Sequence, residues 1–173
     1  FEDIGLTFGG SLRSILRQDP DVLLIGEIRD EETADIAVKF ALTGHLVFST
    51  VHANDAPGTI TRLLDIGIAP FLVGSCLNLV MAQRLVRKIC EKCKEEYKPS
   101  NEEMALISLD PKRVKGNLWK GKGCSDCRNT GYRGRTAIFE MIPMSRELRG
   151  LVYDNANEDK IREQALKNGM VTL

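Results

Sequence analysis

Residues 21–27 read DVLLIGE, and this stretch decides the fold. Residues 21–25 form a short run that is wholly apolar after Asp21, which is typical of a central strand buried on both faces of a parallel sheet. Gly26 and Glu27 end the run with a carboxylate. A second apolar run, residues 46–51, ends at His52. We therefore predict two strands, the first of them buried, each followed by a polar side chain at its carboxyl end.

Helical patterns flank both runs. The predicted helices of this half cover residues 11–18, 30–43, 58–64 and 70–87. Strands and helices that alternate with short links indicate an α/β fold, a mostly parallel sheet with helices on its faces. Such sheets bind ligands beyond the carboxyl ends of their strands, so Glu27 and His52 are expected to share one site.

Residues 66–83 carry no charge and approach the length that spans a bilayer. Pro70, Asn78 and Gln83 interrupt this stretch with polar or helix-breaking positions, and Arg84 follows it directly. We interpret it as a buried core helix rather than a transmembrane span.

Two C-x-x-C pairs, Cys90/Cys93 and Cys124/Cys127, predict a metal centre. Tetrahedral zinc takes four thiolates, and each pair supplies two of them from one tight turn. Two disulfides or redox thiols are the alternatives. Because nothing in the composition suggests a secreted protein, we favour structural zinc. Cys76, in an apolar stretch, is expected to be an inert buried thiol.

Beyond residue 87 the sequence becomes rich in Lys, Gly and Cys. We predict domains over residues 1–87, 88–135 and 136–173: half of an α/β core, an inserted four-cysteine module, and a strand with helices. The later elements are expected as follows: a helix at 101–107, a strand at 135–144, and helices at 145–153 and 157–168 capped by Ser145 and Asn157.

An acid after a buried strand has the logic of the Walker B element of nucleoside triphosphatases. Glu27 in that position can act as a base or orient the water that attacks a γ-phosphate. His52 can donate to a phosphate oxygen, with Thr50 and Asn54 as further donors. The alternatives are an exposed loop glutamate and a histidine satisfied by backbone. His45 begins the second strand, at the opposite end, where we expect a structural or subunit-contact role.

The phosphate-binding pattern G-x-x-x-x-G-K-[ST] is absent from these residues. The chain also opens without a methionine. We therefore expect a fragment, with the phosphate loop upstream in the parent protein, and poor ATP binding by this chain alone.

Several long motifs closely resemble the secretion ATPases of type II secretion and type IV pilus assembly. They are LTF at 6–8, LRSILRQDPD at 12–21, GEIRD at 26–30, TGHLVFSTVHAN at 43–54, QRLVR at 83–87 and the two C-x-x-C pairs. Together they span nearly the whole chain, in order.

This resemblance implies a RecA-like ATPase core that works as a homo-hexamer with ATP, magnesium and structural zinc. It implies that Glu27 is the Walker B glutamate, that His52 is the His-box residue nearest the nucleotide, and that Gly26, Arg29 and Thr50 lie at the nucleotide. The expected partners are an inner-membrane platform protein and pilin-like subunits, and the expected location is cytoplasmic, peripheral to the inner membrane.

Two other functions are compatible with parts of the sequence. Lys and Arg around Trp119 and Tyr132 are compatible with a zinc-ribbon surface for nucleic acid, but the whole chain has a net charge of zero, which argues against it. The other is a docking module: in this hypothesis the four-cysteine module is the surface that contacts the platform protein.

Overall fold

The computed structural model describes residues 8–106 and 118–173. The helices are α1 (Phe8–Leu16), α2 (Glu31–Leu42), α3 (Ala56–Asp65), α4 (Pro70–Cys76), α5 (Asn101–Leu106), α6 (Arg146–Tyr153) and α7 (Glu158–Lys167). The strands are β1 (Val22–Ile25), β2 (Leu46–Ser49), β3 (Leu79–Ile89), β4 (Lys94–Tyr97), β5 (Leu118–Gly121) and β6 (Tyr132–Pro143).

The chain divides into two compact units. Of the described residues, 8–83 and 139–173 form the first unit, and 84–106 and 118–138 form the second. Strands β3 and β6 pair with each other, and the boundary between the units falls within both of them. The three domains expected from the sequence stay a prediction.

In the first unit, β1 and β2 run parallel, with Val22 opposite Leu46 and Ile25 opposite Ser49. Helix α2 connects them, as the alternating pattern predicts. Asp30 caps this helix by accepting a hydrogen bond from the backbone N–H of Thr33 at 2.8 Å. The α/β class is confirmed, while the larger RecA-like sheet stays a prediction.

The core of the first unit lies where α2, α3, α6 and α7 turn their apolar faces inward. Ile60, Leu148, Val152 and Ile161 are completely buried there. Ser145 and Asn157 cap α6 and α7 by accepting from the N–H groups of Leu148 and Lys160, as the sequence predicts. Cap residues and apolar periodicity are local features of the sequence, so they are enough to predict a capped, amphipathic helix.

Two expectations about buried segments are wrong. Strand β1 is buried on one face only: Leu23 and Ile25 are inside, whereas Val22 and Leu24 are 53% and 76% exposed. The apolar sequence matches a strand with two covered faces, but the described elements of this chain cover just one.

The predicted helix at 70–87 ends at Cys76, and residues 79–89 form β3 instead. Burial alternates over the first four residues of β3, with Val80 inside and Leu79 and Met81 half exposed, which is the two-residue period of a strand. The strand gains backbone partners from β6, more than 40 positions later, and no local pattern reveals such a partner. The interpretation of residues 66–83 as one core helix is therefore wrong as well.

The Cys76 thiol, which we expected to be buried, is half-buried in the structure.

In the second unit, β4 and β5 form an antiparallel ribbon in which Glu95 lies opposite Lys120 and Glu96 opposite Trp119. Helix α5 confirms the predicted insertion helix up to Leu106, and Ile107 lies outside the described residues. The motif residues Leu6 and Thr7 lie outside them as well. No helix in the described ranges combines the length and apolar character needed to cross a bilayer.

Candidate active site and metal centre

The side chains of Glu27 and His52 meet beyond the ends of β1 and β2. His52 Nε2 lies 3.2 Å from Glu27 Oε2. The backbone holds the two segments together past the last strand residues, because the N–H of Ile28 donates to the carbonyl of Thr50 at 2.9 Å. The hydroxyl of Thr50 also donates to the carbonyl oxygen of Gly26 at 2.7 Å. The hydrogen bond between Thr50 and Gly26 therefore holds together the two segments that carry Glu27 and His52.

Arg29 forms an ion pair with the other oxygen of Glu27, at 2.6 Å. The hydrogen bond from Arg29 lowers the pKa of Glu27 below its ordinary value of 4.5, and His52 adds to the effect. The carboxylate therefore stays ionised at neutral pH. The Glu27 side chain is 34% exposed and that of His52 is 86% exposed, so both can be reached by a ligand.

A cleft of about 270 Å³ adjoins His52 and runs along the start of α3. Asn54, Asp55, Arg62 and Glu158 are among its lining residues. Polar and charged groups converge on one side of the His52 loop, and this is the setting in which a polar ligand is held.

His45 lies away from this site, at the opposite end of β2. Its ring stacks on Phe40 with centroids 4.0 Å apart, and its Nδ1 is 2.9 Å from the hydroxyl of Thr43. These contacts are structural, and a role in subunit contact stays a prediction.

The sequence reasoning missed the anchoring of α3. Asp55 caps this helix and also pairs with Arg162 at 2.9 Å, while the buried Glu140 accepts from the N–H of Ala56 at 2.7 Å. The Asp-x-Pro pattern at residues 55–57 is a helix-start signal, so the cap at Asp55 could have been predicted from the sequence. Glu140 is an isolated acid in an apolar strand, which is also a visible signal.

The four predicted cysteines converge in the second unit. Their sulfur atoms all lie within 4.8 Å of one another, and the Sγ atoms of Cys90 and Cys124 are 3.9 Å apart. The Sγ–Sγ distances of Cys93–Cys127 and Cys124–Cys127 are 3.8 and 3.7 Å. With metal–sulfur bonds of about 2.3 Å, a tetrahedral site has edges of about 3.8 Å. Disulfide bonds of about 2.05 Å do not fit, and all four thiols are free.

Backbone N–H groups point at the sulfur atoms, as they do around metal-bound thiolates. Those of Cys124 and Gly131 donate to Cys127 at 3.2 and 3.3 Å, and that of Gly123 donates to Cys93 at 3.3 Å. Burial disfavours the Cys127 thiolate, but hydrogen bonds from the N–H groups of Cys124 and Gly131 and from the thiols of Cys124 and Cys93 outweigh it and lower the pKa of Cys127 to about 6. Burial dominates at Cys93 and raises its pKa to about 12. The donor set fits a metal such as zinc.

Two glycines allow the backbone to close around the cysteines. A Cβ built on Gly121 would overlap the carbonyl group of Gly131, and Gly131 itself has a φ of 76°. Only glycine adopts such a conformation at low cost. Asp126, between Cys124 and Cys127, is held by Lys92 at 2.7 Å and by Arg133 at 3.6 Å.

Comparison with known proteins gives consistent results. The chain is 51% identical to the type IV pilus assembly ATPase PilB of Myxococcus xanthus, over 99% of this chain and 31% of that protein. It is 48% identical to the type II secretion system protein E of Pseudomonas aeruginosa, over 96% of this chain and 33% of that protein. The chain thus spans about a third of the length of these relatives.

Among solved structures, the pilus retraction motor PilT with bound ADP superimposes with a TM-score of 0.56 at 26% identity. The alignment covers 96% of this chain and 41% of that one. The family model for "Type II/IV secretion system protein" matches residues 2–173. On these grounds, the chain belongs to the family of type II/IV secretion system proteins.

Proposed function

We propose that this chain is part of an ATPase motor that drives type II protein secretion or type IV pilus assembly, with Glu27 as its catalytic carboxylate. One observation carries the proposal: Glu27 and His52, from separate strand ends, lie 3.2 Å apart in a chain of this family. The ends of parallel strands are where α/β proteins bind their ligands.

In this proposal the carboxylate of Glu27 orients the attacking water, and Arg29 keeps that carboxylate ionised. His52 contributes a hydrogen-bond donor to a γ-phosphate oxygen, while Thr50 and Gly26 keep the two segments in register. ATP, held with magnesium in the parent protein, would supply the γ-phosphate that this water attacks. The phosphate loop is expected elsewhere in the parent polypeptide, because its pattern is absent from these residues.

We infer further that the core is RecA-like and that the parent protein forms a cytoplasmic homo-hexamer at the inner membrane. The relatives named above are a pilus assembly ATPase and a type II secretion protein, which supports a role in one of these two systems. We also infer that the four cysteines hold structural zinc, since four thiolates fill a tetrahedral site and leave no position for substrate.

The second unit is our candidate for the surface that docks the inner-membrane platform protein. Residues 84–138 contain 14 Lys and Arg but seven Asp and Glu, whereas the rest of the chain contains 10 and 17. The neutral chain therefore concentrates positive charge in one unit, which favours an acidic partner. The same positive charge would also attract nucleic acid, which we do not expect because the motifs along the chain resemble those of the secretion ATPases. DNA binding that weakens steeply with added salt would revive that alternative.

The experiment that tests the catalytic proposal is magnesium-dependent ATP hydrolysis by the parent protein, wild type beside Glu27→Gln. The substitution keeps size and removes charge, so we expect turnover to fall by about 100-fold or more while ATP binding persists. Glu163→Gln, an exposed position on α7, is the matched control and should leave turnover unchanged. Unchanged turnover in Glu27→Gln would remove Glu27 from the mechanism.

A further inference from the structure

The carboxylate of Glu140 is buried, with the residue only 1% exposed, on strand β6. Both of its oxygens accept hydrogen bonds from backbone groups. The N–H of Ala56 donates to Oε1 at 2.7 Å, and the N–H of Leu173 donates to Oε2 at 3.4 Å. Burying a carboxylate costs free energy unless its oxygens accept hydrogen bonds, and here both oxygens of Glu140 do so.

Ala56 is the first residue of α3, and this explains what Glu140 does. The N–H groups of a first helical turn have no partner inside the helix, and the positive end of the helix dipole lies there. Asp55 satisfies Gly58 at 2.9 Å, and Glu140 satisfies Ala56 from a strand far away in sequence. Two carboxylates therefore hold the start of α3.

A second bond ties the same point to α7. Asp55 Oδ2 is 2.9 Å from a guanidinium nitrogen of Arg162, and Arg162 also pairs with Glu158 at 2.5 Å. The start of α3 is thus attached both to β6 and to α7, elements from the last third of the chain.

His52 precedes this anchored point by four residues. Its side chain is 86% exposed, so packing does little to place it, and its position depends on the backbone that carries it. We propose that Glu140 is a positioning residue: by holding the N–H of Ala56, it sets the position of His52 against Glu27. Its consequence for catalysis rests on the proposed function, but the positioning itself does not.

The test uses the two histidines of the 173-residue chain, His45 and His52, whose imidazole resonances are followed by NMR. In the wild-type background, Glu27→Gln should shift the His52 resonances and leave those of His45, which stacks on Phe40, in place. In a Glu140→Ala background we expect this His52 response to fall to less than half. Glu140→Gln retains an oxygen for Ala56 and should preserve the response.

Four results would overturn the proposal. In the first, Glu27→Gln does not shift the His52 resonances in the wild-type background; in the second, it shifts them fully in the Glu140→Ala background. In the third, the His45 resonances change as much as those of His52, which marks general loosening of the fold. In the fourth, Glu140→Gln reduces the His52 shift as much as Glu140→Ala does. Glu163→Ala is the control for substitution of an exposed acid.

No nucleotide is needed for these spectra, so they are independent of the ATPase proposal. In the parent protein, Glu140→Ala should lower kcat at least 10-fold with KM nearly unchanged. A lost His52 response together with a normal kcat would keep Glu140 as a positioning residue and remove the Glu27–His52 pair from catalysis.

Discussion

His52 Nε2 lies 3.2 Å from Glu27 Oε2, although 25 positions separate the two residues. The contact exists because β1 and β2 are parallel and end together, with Leu24 opposite Phe48 and Ile25 opposite Ser49. Backbone bonding then continues for a few residues beyond the strands, through Ile28 and Thr50. In the proposed function, Glu27 acts as the base and His52 as a hydrogen-bond donor when water is directed at a phosphate.

The first prediction concerns the ionisation of Glu27. Arg29 lowers the pKa of Glu27 below 4.5 in the folded chain, so the carboxylate stabilises the fold above that pH. This stabilisation is lost as the pH falls through the lowered folded pKa. Arg29→Gln should raise the Glu27 pKa toward 4.5 in a carboxyl-carbon NMR titration. Arg13→Gln, which breaks the ion pair with Glu32 at 2.5 Å, should leave the pKa of Glu27 in place.

The second prediction concerns the metal centre. Cys90→Ser replaces one of four thiolates with a hydroxyl, a poor zinc ligand. We expect metal content, measured by mass spectrometry on the purified chain, to fall from about one zinc per chain to a small fraction of that. Residues 84–138 should then become sensitive to protease, while the first unit stays folded.

Cys76→Ser is the matched control, because Cys76 lies outside the four-cysteine cluster. It should retain full metal content. Stoichiometric zinc in Cys90→Ser would contradict the proposed set of ligands.

The third prediction concerns the glycine pair beside the cysteines. In Gly121→Ala the new methyl group collides with the backbone of Gly131, which cannot move aside as a flexible side chain does. We expect zinc affinity, measured by competition with a chelator, to fall at least 10-fold. Gly150→Ala, in helix α6 with open space around the new methyl, should leave affinity unchanged and stabilise the chain by up to about 1 kcal/mol.

The fourth prediction concerns the core of the first unit. Leu148 on α6 is completely buried, so Leu148→Ala removes packed methyl groups and leaves a cavity. The free energy of unfolding should fall by about 2–5 kcal/mol in urea denaturation. Leu166→Ala makes the same chemical change at a side chain that is 46% exposed, and should cost less than about 1 kcal/mol. Similar losses at both positions would contradict the assigned core.

Local pattern predicted much of the fold. The helix caps at Ser145 and Asn157 depend on residues within three positions of each cap, and both were predicted from the sequence. Strand β3 was not, because its uncharged first half also suits a helix and its partner β6 lies far along the chain. The local preference for a helix is overridden where a distant strand supplies backbone hydrogen bonds.

The candidate site, too, has a part that local sequence predicts and a part that only the tertiary structure shows. Sequence alone identified Glu27, His52 and the four cysteines, since an acid or histidine after an apolar run, and paired C-x-x-C units, are local patterns. The sequence by itself also determined the family, through motifs that run in order along the chain.

Only the tertiary structure decided how these residues are held. The carboxylate of Glu140 meets the N–H of Ala56 across 84 positions of sequence, and Arg162 meets Asp55 across 107. Neither pair leaves a periodic or spacing signal, because each bond joins elements that become neighbours only when the core packs. Local sequence therefore predicts which residues form the candidate sites of this chain. The positions of these residues depend on long-range contacts, which form only when the core is buried.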